Sequence, residues 1–146
     1  MRWMTGALLM MGAMPAGAAE ATGQFNVQLT PLPAAPGGIG QYRLDKQFSG
    51  DLVASSGGLM LSGGDPAKGA AGYVAMELVT GRLAGRSGGF ALQHSGTMSG
   101  DGQHLQIVIV PGSGTGALAS ISGTMTIRIS GKDHFYTMRY ELPAAP

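Results

Sequence analysis

The feature that most narrows what this chain can fold into is a hydrophobic period of two. Phe25, Val27 and Leu29 alternate with Gln24, Asn26, Gln28 and Thr30. Tyr42, Leu44, Lys46 and Phe48 alternate with Gln41, Arg43, Asp45 and Gln47. Successive side chains of a strand point to opposite faces, so this pattern is that of a half-buried strand. No long stretch after Ala21 combines helical period with helix-forming residues.

Further runs of the same kind occupy residues 52–61, 73–83, 90–98, 105–110, 121–130 and 135–142. Gly57-Gly58 is expected to interrupt the first of them, and residues 31–40, 63–72, 99–102 and 111–116 read as turns or Gly/Pro loops. Eight short strands with turns between them predict an all-β chain, an antiparallel barrel or sandwich. The sequence shows no strand–helix alternation, which argues against a parallel sheet. Closure into an eight-stranded antiparallel β-barrel would remove exposed edges and leave room for side chains or one small ligand.

Composition fits this picture and removes several functions. Charged residues make up 12% and apolar residues 44%, the opposite of a disordered chain. There is no cysteine, hence no disulfide framework and no zinc–thiolate site. The formal charge is +1, and no Lys/Arg run is present, so nothing attracts nucleic acid. His94, His104 and His134 have no metal-ligand spacing, and only His94 sits on an apolar face; no cofactor is expected.

Residues 1–21 have the order of a secretory signal: Arg2, an apolar stretch from Trp3 to Met14, Pro15, then Ala16-Gly17-Ala18. Cleavage is expected before Ala19, with cleavage after Ala19 or after Ala21 as alternatives. The apolar stretch is too short to span a bilayer, so the mature form has no membrane span by this reading. The mature protein is expected to be periplasmic or secreted. Residues 22–142 would form one barrel domain and 143–146 a disordered tail.

Three motifs carry a resemblance. They are Glu77-Leu78-Val79-Thr80-Gly81, then Gly85-Arg86-Ser87-Gly88-Gly89-Phe90-Ala91-Leu92-Gln93-His94, then Val110-Pro111-Gly112-Ser113-Gly114-Thr115-Gly116-Ala117-Leu118. Together they resemble a bacterial family defined only as a domain of unknown function, itself similar to the allene oxide cyclase barrel. The resemblance covers most of residues 22–142. It implies an eight-stranded antiparallel barrel, often oligomeric, and no assigned activity. Similar barrels are cyclases, dirigent proteins that steer coupling reactions, or binding proteins, and fold alone does not choose among them. Leu78 departs from the charged or bulky residue of the family pattern, and the export signal departs from a cytosolic role.

The hairpin of residues 73–98 holds the candidate site. On its second strand Phe90, Leu92, His94 and Met98 share one face, the core face. A four-residue loop of residues 84–87 would pair Leu83 with Gly88 and set Glu77 opposite His94 inside the barrel. A three-residue loop of residues 85–87 would send Glu77 to solvent and turn Val74, Met76 and Leu78 inward. In the first register those three apolar residues form an outer stripe, which suggests a subunit interface and a homo-oligomer.

A buried Glu77–His94 pair is the candidate catalytic group. Lys46, Tyr42, Tyr136 and Tyr140 fall on inward faces and, with Phe90 and Leu92, are candidate ligand contacts. The bland alternative is a satisfied polar cluster that fixes the core. Gly112 to Gly116 lacks the ending of a phosphate loop, and Gly85-Arg86-Ser87-Gly88-Gly89 lacks the strand–turn–helix elbow of a serine hydrolase. The chain is therefore read as a binding protein for a small hydrophobic molecule rather than an enzyme. The alternatives are a cyclase or isomerase using Glu77 and His94, and a structural, self-associating envelope protein.

Overall fold

The computed structural model describes residues 17–143. The strands in chain order are β1 (Ala18–Ala35), β2 (Ile39–Gly50), β3 (Leu52–Asp65), β4 (Ala70–Leu83), β5 (Arg86–Ser99), β6 (Gly102–Ile109), β7 (Thr115–Gly116), β8 (Ser122–Ser130) and β9 (Asp133–Glu141). Each long strand pairs antiparallel with its neighbours in sequence, β6 reaching β8 across a connection that carries β7. The β1–β9 ladder closes the circuit. The result is a closed eight-stranded barrel, with the two-residue β7 laid against the start of β5. Among the described residues no helix is long and apolar enough to cross a membrane.

Several strands outrun their expected bounds. Gly57-Gly58 does not interrupt β3, which is continuous from Leu52 to Asp65. A Cβ on Gly58 would stand 2.1 Å from Met76 O and 2.7 Å from Glu77 Cα, so glycine lets β3 and β4 approach there. Residues 31–35 extend β1 through two prolines, leaving a single 3-10 turn at Pro36–Gly38. The strand also starts early. Ala18 pairs with Glu141, and Ala21 pairs with Met138 and is buried. A cut before Ala19 keeps the Ala21–Met138 pairing and removes only Ala18 from β1, whereas a cut after Ala21 removes the first four residues of the strand. Residues 1–16 of the expected leader and 144–146 of the expected tail lie outside the described residues. Pro143 O accepts a hydrogen bond from Arg86 Nη1.

The β4–β5 hairpin takes neither expected loop. It turns through two residues, Ala84 (φ 51°) and Gly85 (φ 76°), so Leu83 pairs with Arg86. Two positive φ angles make the I′ turn whose twist matches the flanking strands. Ala84 hides it, because that position favours Asn, Asp or Gly. Relative to the four-residue loop the pairing moves by two, which preserves the facing of every side chain. Glu77 therefore points inward, but it pairs with Leu92, and Ala75 pairs with His94.

Inside, the barrel divides into two halves. At the end carrying the β2–β3 and β4–β5 turns, Phe48, Leu52, Leu83, Phe90, Leu92, Tyr136, Met138 and Tyr140 form a packed core. Leu118 and Ile121, from the connection between β6 and β8, close that end and are buried in the same cluster. Toward the other end burial fades along each strand: Phe25, Val27 and Leu29 run from buried to exposed, as do Met125, Ile127 and Ile129. That half is hollow.

Candidate functional site

The inward faces of β2, β3, β4 and β5 bring four polar side chains together where the packed half meets the hollow half. Glu77 is wholly buried, and Lys46, Ser56 and His94 are buried around it. Lys46 Nζ donates to Glu77 Oε1 over 3.0 Å, and Ser56 Oγ donates to Oε2 over 2.5 Å. His94 Nε2 lies 2.7 Å from Oε1. The diagonal offset between Glu77 and His94 is what two long side chains span across neighbouring strands. Lys46 Nζ also lies 4.7 Å from the centre of the Phe25 ring and 5.7 Å from that of Phe48, so its charge faces aromatic clouds as well as a carboxylate. Among the described residues no buried side-chain nitrogen or oxygen lacks a partner.

Burial alone pushes the Glu77 carboxyl upward. The hydrogen bond from His94, the charge of Lys46 and the bonds from Ser56 and Lys46 outweigh it, and hold the group at about 2, below its ordinary 4.5. Glu77 is thus an ionised anchor at neutral pH. Tyr73, whose ring centre lies 6.3 Å from that of His94, has its hydroxyl pushed up by burial and then by the Glu77 charge.

The cluster forms the floor of a cavity of about 590 Å³ in the hollow half. Its wall includes Phe25, Leu44, Met60, Tyr73, Ile127 and Leu105, and its floor presents Lys46 and His94. Tyr42 lines the wall. Phe90, Leu92, Tyr136 and Tyr140 do not line it; they lie in the packed half, two or more residues past the floor on their strands. Tyr136 has a structural task. Its hydroxyl donates to Ser49 O over 2.8 Å and accepts from Leu52 N over 2.9 Å, clasping the β2–β3 turn.

Three residues of the site escape a reading by motif. Ser56 lies between Ala54 and Gly58 on the inward face of β3, where small residues carry no chemical signal. His104 and His134 lie near turns, yet both line the mouth of the cavity, so all three histidines of the chain border it. Among the described residues no group of three or more His, Asp or Glu side chains is arranged to hold a metal ion. The Gly-rich motifs serve the backbone. Ser113 Oγ bonds Val110 O and accepts from Ala91 N, and Ser87 lies within β5 after the two-residue turn. Val74, Met76 and Leu78 face outward and are exposed, with Leu59 beside Met76 on β3.

No curated protein matches the chain. A crystal structure of a protein of unknown function from the DUF3224 family of Shewanella oneidensis MR-1 is similar to it, with 44% identity and a TM-score of 0.80. The alignment covers 88% of this chain and 99% of that one. Residues 21–140, which include all eight long strands in whole or nearly so, match the family described as "Protein of unknown function (DUF3224)". The chain belongs to the DUF3224 family.

Proposed function

We propose that this protein is an exported β-barrel that holds a small hydrophobic molecule in the hollow half of the barrel. The observation that carries the reading is the cavity itself: about 590 Å³, walled mainly by apolar side chains, with two polar side chains at its floor. That volume falls within the ~300–1,000 Å³ of small-molecule sites, which are apolar with a few convergent polar groups. A chain that only needed stability would fill this half, since an unfilled apolar space costs packing energy. Export rests on the order of residues 1–21. The test is native mass spectrometry of protein isolated from its own host. A bound small molecule recovered at stoichiometric level supports the reading, and repeated recovery of empty barrel refutes it.

A second reading, a cyclase or isomerase, draws on one specific contact. His94 borders the cavity while Glu77 Oε1 holds its Nε2 at 2.7 Å, and a carboxylate-oriented imidazole is a common acid–base group. In that scheme Glu77 orients rather than reacts, because it is buried beneath the floor and held at about 2. Chemistry would be seen as different isomers bound to wild type and to His94→Gln; the same isomer in both refutes it. Self-association of the barrel is favoured by the exposed outer stripe of Leu59, Val74, Met76 and Leu78.

A further inference from the structure

The cavity wall has an uneven chemistry that defines its ligand further. Its ionisable members are Lys46, three histidines and two tyrosines, and no Asp or Glu is among the described residues that line it. Glu77, the one carboxylate nearby, is sealed beneath the floor. Lys46 is within hydrogen-bonding range of Glu77 and carries three N–H donors, so two remain for a partner above the floor. His94 is engaged through Nε2 and, among the described residues, makes no bond through Nδ1. The floor therefore offers donors and a positive charge, framed by apolar walls.

The route out of the cavity is equally specific. β6 pairs with β5 along its whole length, and β8 does so with β9. Between themselves β6 and β8 pair only at Ile107–Met125 and Val108–Thr124. From there to the open end, residues 103–106 and 126–130 form no ladder with each other, a slot in the hydrogen-bonded wall. Leu105 and Ile129 stand at that slot, and both are exposed apolar side chains on the cavity lining. Exposed strand edges are ordinarily blunted by charge or cover. Here Gln106 and Arg128 flank the slot, but Leu105, Ile127 and Ile129 on its cavity side are apolar, which suits a slot filled by an apolar chain.

We infer that the ligand is a single-headed amphiphile, a carboxylate on an apolar chain, with its head at Lys46 and His94 and its tail leaving between β6 and β8. This rests on the ligand-binding reading above. Lys46 donates to Glu77 through one N–H and to the ligand carboxylate through the others, and His94 borders the head beside it. Charge-assisted bonds of this kind are the strong ones, and they need a partner when they are out of water.

The test is calorimetric titration of the mature protein with dodecanoate, 1-dodecanol and the neutral apolar probe N-phenyl-1-naphthylamine. Dodecanoate is expected to bind at least tenfold more tightly than the alcohol of equal length. In the double variant Lys46→Met/Glu77→Gln, which leaves no unpaired buried charge, that preference should vanish while the apolar probe still binds. Equal affinity of acid and alcohol for wild type overturns the head-group assignment and leaves the cavity reading intact. Binding of the probe with neither dodecyl compound overturns the amphiphile class. Failure of all three to bind overturns the cavity reading itself.

Discussion

Replacing Glu77 by Gln keeps the shape of the side chain and removes its charge, leaving Lys46 buried without a counter-ion. The cost follows from two independent lines. Holding the carboxyl at about 2 instead of 4.5 corresponds to about 3 kcal/mol of stability at neutral pH. Removing one member of a buried ion pair costs about 3–5 kcal/mol. The two agree, and either is a large share of the ~5–15 kcal/mol that holds a domain folded. The sign of the pH dependence is fixed. A carboxyl lowered by folding contributes fully above about 4.5, and its contribution is lost as pH falls from there through about 2. Chemical denaturation of wild type and Glu77→Gln at about pH 7 and about pH 3 therefore should give a gap of about 3 kcal/mol that shrinks to about 1. Adding Lys46→Met to the variant should restore most of the loss, since it removes the stranded ammonium. A gap below about 1 kcal/mol at neutral pH, or one that does not change with pH, would refute the ion-pair reasoning.

Other consequences are as direct. Gly58→Ala drives a Cβ into Met76 O and should cost about 1–3 kcal/mol in the same denaturation assay. Tyr136→Phe leaves Leu52 N, a buried donor, without its acceptor and should cost about 1–3 kcal/mol, while ligand occupancy by native mass spectrometry stays unchanged. Leu78→Glu places a charge on the outer stripe, where Leu78 is 66% exposed, and should shift any oligomer toward monomer in sedimentation without loss of stability. Protein recovered from outside the cytoplasm should begin at Ala19, which retains buried Ala21 and its pairing with Met138; N-terminal sequencing decides between this and a later cut.

Alternation in Phe25-Val27-Leu29 and Tyr42-Leu44-Lys46-Phe48 is a local property, and the all-β class and strand faces follow from it without tertiary information. Lys46 and His94 are assigned inward on that ground, and both are buried. Glu77 is a harder case, because its facing depends on the turn between β4 and β5. The period of two makes facing survive an error of two residues, while pairing does not, so Glu77 comes out inside but opposite Leu92. The distinction between Tyr42, on the cavity wall, and Tyr136, clasping a turn, is invisible to periodicity, since both are inward aromatic residues. It depends on how far along the barrel each one sits. That depth, the fourth partner Ser56, and the slot between β6 and β8 are set by strands distant in sequence, and only closure of the barrel brings them together.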